Sequence, residues 1–130
     1  GDLSVSRPDT HKSLKTKERL HQVNRFLIEQ YDVKVRLRVA KMPKPFKDCL
    51  GFISYDNSRL PPLIWISTGL STSEAVSTLL HEFAHAVSHK IHGPSWKRAY
   101  DGHDKDFAIV LNKIENSFIY ENGSAKSKEY

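Results

Sequence analysis

The stretch from Ser71 to His92 contains neither proline nor glycine. It sets Val76, Leu79, Leu80, Phe83, Val87 and Ile91 at helical spacing, which predicts an amphipathic helix with one buried stripe. Ser71-Thr72-Ser73-Glu74 opens it as a capping box, with Ser71 as N-cap and Glu74 reaching back from N3. Gly93-Pro94 closes it directly after His92. Any fold must accommodate this rod, and its middle reads His81-Glu82-Phe83-Ala84-His85. Residues four apart share a helix face and lie about 6 Å apart along the axis. Both histidines border the buried stripe, and Ala84 and Ala86 keep the helix slim beside them.

Two imidazoles placed in this way can grip one zinc ion, with Zn–N distances of about 2.0–2.1 Å. Glu82, beside the first histidine, projects toward the same ion and can take a proton from a metal-bound water. The pattern points to Zn2+ as cofactor, His81 and His85 as ligands and Glu82 as general base. A bare pair of histidines four apart is usually a surface pair. The capping box and the flanking apolar stripe set this one apart.

A catalytic zinc usually takes three protein ligands and leaves a fourth position to water. His89 lies about 12 Å up the axis from His81 and cannot reach the same ion. The long metzincin pattern would need glycine at Ser88 and histidine at Ile91, and fails at both. His92 sits at the helix end, with no breaker between Ala86 and Lys90 to bend it back. His103 follows a loop long enough to reverse the chain. It also precedes a second helical run, with Phe107, Val110, Leu111, Ile114 and Phe118 as its stripe. His103 is therefore the preferred third ligand and His92 its rival, with Asp101, Asp104 and Asp106 as further candidates.

One hundred and thirty residues suffice for one core and not two. No apolar run approaches the length of a membrane span, and no secretory signal pattern opens the chain. Cys49 is the single cysteine, which excludes an internal disulfide and a cysteine-built zinc site. It suits a reducing compartment, cytoplasmic, nucleoid or nuclear, and is expected as a small core hydrophobe.

The remaining elements follow from periodicity. A helix is predicted from about Ser13 to Tyr31, on Leu14, Leu20, Val23, Leu27 and Ile28. Val33 to Val39 alternates apolar and basic residues, as a half-buried strand does. Further strands are expected at Leu50 to Tyr55 and at Leu63 to Ser67. The order is helix, three strands, metal-binding helix, loop and closing helix. This is an α+β class with a small three-stranded sheet packed on helices. Residues 1–120 read as a single domain, and the polar segment 121–130 as a disordered tail.

The segment from Leu63 to about Phe118 resembles the SprT-like branch of small zinc metallopeptidases, a minimal gluzincin-type, zincin-like fold. The resemblance rests on a strand, a short loop, the His81-Glu82-x-x-His85 helix and then Gly102-His103-Asp104-Lys105-Asp106-Phe107. That last piece is similar to the Gly-His-Gly-Pro-Glu-Phe element carrying the family's third ligand. His92-Gly93-Pro94-Ser95-Trp96 is reminiscent of it too. The chain departs from the family where Asp104-Lys105-Asp106 replaces Gly-Pro-Glu, and it has no cysteine zinc ribbon. The resemblance implies a sequence-tolerant peptidase acting on proteins or peptides, with DNA-associated proteins as substrates in several members. In zincins the strand before the metal helix commonly receives substrate backbone as an added strand. This makes Trp65 and Ile66 candidate substrate contacts, and Tyr100 is a candidate donor to the oxyanion.

The net charge of +5 is concentrated in the first fifty residues. Lys12, Lys15, Lys17, Arg19 and Arg25 load the first helix, Lys34, Arg36 and Arg38 the first strand, and Lys41, Lys44 and Lys47 the segment beyond. Such clustering can form a phosphate-binding face, although such runs are usually solvated faces. Two other classes therefore stand beside the peptidase: a non-catalytic, zinc-stabilised binding module and a basic nucleic-acid-binding module.

Overall fold

The computed structural model describes residues 8–55, 59–93 and 105–127. Its elements are α1 (Pro8–Tyr31), β1 (Arg36–Ala40), a 3-10 turn (Lys44–Phe46), β2 (Gly51–Ser54), β3 (Leu63–Ser67), α2 (Thr72–His92) and α3 (Lys105–Ser127). This is the expected α+β layout, with helices against a small mixed sheet. None of the described helices is long and apolar enough to cross a membrane.

The spatial order of the strands is β1-β3-β2. β1 runs parallel to β3, with Arg38 opposite Trp65, and β2 runs antiparallel to it, with Phe52 opposite Trp65. The strand last in sequence is therefore central. Alternation along β3 sends Ile64 and Ile66 into the core, both 0% exposed, and turns Leu63, Trp65 and Ser67 to the other face. The β1 ladder begins three residues after the apolar-basic alternation does. Extending its parallel register backward would set Val35 and Lys34 against Pro62 and Pro61, which have no N–H to donate. Val33 and Val35 still bury their side chains.

The core joins Leu20, Val23 and Leu27 of α1, Leu79 and Phe83 of α2, and Phe107, Val110 and Ile114 of α3 to the inner face of the sheet. α2 is the central rod, and its ends are set by local chemistry. Ser71 Oγ accepts from Glu74 N at 3.1 Å, and Glu74 Oε1 accepts from Ser71 N at 3.3 Å, completing the capping box. At the far end Gly93 takes φ +86° and its N–H donates to His89 O at 2.9 Å. Ile91, expected in the buried stripe, is 62% exposed. Val87 is the last apolar residue of the stripe to be buried.

Gly51 explains how β2 comes so close to α2. A Cβ at this position would lie 2.8 Å from Thr78 Cγ2 and 2.8 Å from the Trp65 carbonyl oxygen. Only glycine permits that approach. Two contacts fix the helix layer: Tyr31 Oη donates to Ser117 Oγ at 2.9 Å, and the Lys90 ammonium donates to the Asp32 carbonyl that ends α1. Cys49, expected in the core, is exposed instead. It lies in the turn before β2, where the chain runs over the surface. α3 carries its backbone helix to Ser127, into the segment that composition assigned to a polar tail.

Candidate metal centre

His81 and His85 project from one side of α2, one turn apart, with ring centroids 5.1 Å from each other and planes inclined at 75°. Both are half-buried. Phe107, at the start of α3, walls the pair. Its ring stacks on His85 at 4.2 Å and meets His81 edge-on at 5.1 Å. The closing helix therefore delivers an aromatic ring against the imidazoles. Beyond it a cleft of about 360 Å³ opens beside His81, with mainly apolar walls from Phe107, Ala108 and Leu111 and with Asn112 and Glu115 at its sides.

Glu82 occupies the adjacent helix position, and burial pushes its carboxyl up to about 7. A carboxyl tuned near neutrality fits proton transfer, since it can accept and release a proton at little cost. Tyr55, the residue after β2, lies beside it. Burial first, and the Glu82 charge second, raise the Tyr55 hydroxyl above its ordinary value, so it stays protonated and can donate. The Tyr55 ring is fixed by stacking on His89 at 4.3 Å. His89, out of reach of an ion held by His81, instead holds this tyrosine. No sequence signal marked Tyr55, because its partners lie about thirty positions away along the chain.

Of the third-ligand candidates, His103, Asp101 and Asp104 lie outside the described residues, as does the donor candidate Tyr100, and nothing is described of the Asp106 side chain. Among the described residues no third His, Cys, Asp or Glu joins the pair. His92 is therefore not a partner of His81 and His85: it stays in helical register to the end of α2, about 10 Å along the axis from His85. The two imidazoles fit zinc in chemistry and spacing.

The strand assignment for substrate needs correction. β3 is flanked by β1 and β2, so both of its edges are already hydrogen-bonded and it cannot receive a further strand. Ile66 is wholly buried in the core, and Trp65 points to the outer face under Arg38, so neither is placed to meet a substrate on α2. The edge strands are β1 and β2, and β2 leads through Ser54 to Tyr55, which lies beside Glu82.

No curated protein and no solved structure shows significant similarity to the chain. The family model described as "SprT-like family" matches residues 16–128, which spans the first helix, the sheet, the histidine pair and the closing helix. A match of that extent, together with the motif in its helix, shows that this chain belongs to the SprT-like family.

Proposed function

We propose that the chain is a zinc-dependent peptidase in which His81 and His85 are two of the metal ligands and Glu82 is the general base. The observation that carries this reading is the placement of Glu82. It is a largely buried carboxylate next to two convergent imidazoles, held near a neutral pKa and without a structural salt bridge among the described residues. Zinc, when bound there, supplies a polarised water of lowered pKa. Glu82 takes the proton of the attacking water and later delivers it to the leaving amine. Tyr55 contributes a protonated hydroxyl on the β2 side of the base, suited to hydrogen-bonding charge that develops on the substrate carbonyl oxygen. Substrate backbone adds along the outer edge of β2, and one side chain enters the cleft beside His81. His103 is the third ligand of this proposal, on the strength of its position before α3.

The test combines metal content with cleavage of a labelled, unfolded casein. The native chain is expected to carry one zinc and to cleave. Glu82→Gln keeps the zinc and loses cleavage, while His85→Ala loses both. Undiminished cleavage by Glu82→Gln, or a purified native protein that acquires no zinc, refutes the proposal.

A further inference from the structure

The cleft beside His81 is walled on one side by a stripe of α3. Ala108, Leu111, Asn112 and Glu115 recur three and four residues apart, which sets them on one helix face. That stripe runs beside the buried one of Phe107, Val110 and Ile114, so it borders the core without entering it. Its character changes along its length. Phe107 and Ala108 stand at the end that meets the imidazole pair, where the Phe107 ring stacks on His85. Ala108 is exposed, and its single methyl group leaves the cleft open at this point. Leu111 follows, half-buried, one turn on. Asn112 and Glu115 end the stripe, with Glu115 two turns, about 12 Å, beyond Phe107 along the axis. Helical side chains lean toward the N-terminus of their helix, so the Glu115 side chain covers surface toward the imidazole end.

Among the described residues that line the cleft, Glu115 carries the one fixed charge. It has no ion pair among the described residues, so its carboxylate is available to an incoming group. The wall sorts side chains by their chemistry. A small one leaves Phe107 and Leu111 in contact with water. A large apolar one covers them but strips water from Glu115 with no partner in exchange. An acidic one sets two carboxylates together. A lysine or arginine lays its alkyl stem on Phe107 and Leu111 and brings N–H donors to Glu115, with the Asn112 amide oxygen as a second acceptor. These are also the longest side chains, and the acceptors lie toward the far end of the stripe.

We propose that this cleft is a specificity subsite for a lysine or arginine next to the scissile bond, with Glu115 as the residue that selects it. The inference rests on the peptidase reading and adds a substrate class to it: protein segments that carry basic residues. The selection is one of rate and not of exclusion, because a single charge-assisted hydrogen bond separates a basic side chain from an apolar one.

The test uses the zinc-loaded chain and a synthetic peptide library randomised at every position, with cleavage sites read by mass spectrometry. Lysine and arginine are expected to be enriched at one of the two positions flanking the cut. Matched peptides with arginine, leucine, glycine or glutamate at that position then give kcat/KM. Glu115→Gln should lower the arginine-to-leucine ratio of kcat/KM about tenfold, the scale of one lost hydrogen bond to a charged group. Glu115→Lys should prefer the glutamate peptide to the arginine peptide. Ala108→Leu narrows the cleft without touching its charge, and should slow the arginine peptide more than the glycine peptide. Each ratio is internal to one variant, so a loss of folded protein does not alter it. The subsite is overturned if the native chain cleaves with no preference for basic residues, or if Glu115→Lys keeps the arginine preference; either result leaves the peptidase reading standing. A zinc-loaded native chain that cleaves no peptide overturns both.

Discussion

Burying the Glu82 carboxyl has a thermodynamic cost that can be measured without substrate. Burial shifts its carboxyl from an ordinary 4.5 to about 7 in the folded chain. The folded state then retains a proton that the unfolded state has released, so between about pH 4.5 and 7 stability falls as pH rises, and above 7 the full penalty remains. A displacement of that size corresponds to about 3 kcal/mol. Residual solvent access trims this to about 1–3 kcal/mol. Glu82→Gln removes the ionisable group at nearly constant shape. In the metal-free protein the variant should match the native chain at pH 4.5 and exceed it by about 1–3 kcal/mol at pH 8. For a domain of this size that is a rise in Tm of roughly 3–12 °C. Urea denaturation of both proteins, with chelator, at pH 4.5, 6, 7 and 8 checks it. A stability difference that does not change with pH, or one of opposite sign at pH 8, refutes the argument that burial is what tunes this carboxyl. Under the proposed function the same substitution is expected to abolish cleavage in the zinc-loaded protein, so this position would trade stability against function.

Three further outcomes are expected. Tyr55→Phe keeps the ring stack on His89 but removes the hydroxyl; it should lower kcat about tenfold or more with zinc content unchanged, as read by steady-state cleavage. Gly51→Val forces β2 away from Thr78 and the Trp65 carbonyl and should cost about 2 kcal/mol or more in chemical denaturation, whereas Ser54→Val on the same strand should cost much less. Ser71→Ala removes the Oγ that accepts from Glu74 N, while the backbone N–H of residue 71 can still donate to Glu74, and should cost about 1 kcal/mol in the same assay, with cleavage intact at low temperature.

The sequence by itself determined what is local. The capping box, the apolar stripe and Gly93 bound α2 as found, the strand expected from Leu63 to Ser67 has those limits, and the spacing of His81 and His85 forced them onto one helix face. These features depend on contacts three or four residues apart, or on a period of two, and one chain contains all of that information. The tertiary structure alone decided the rest. It put β3 in the centre of the sheet, which left β1 and β2 as its edges. It buried Ile66, exposed Ile91 and Cys49, and set Tyr55 against Glu82 and His89. It also brought Phe46, Phe52, Trp65 and Arg38 into one column. Strand order and side-chain contacts across long sequence separations are fixed by which surfaces bury together, and no local period encodes that choice.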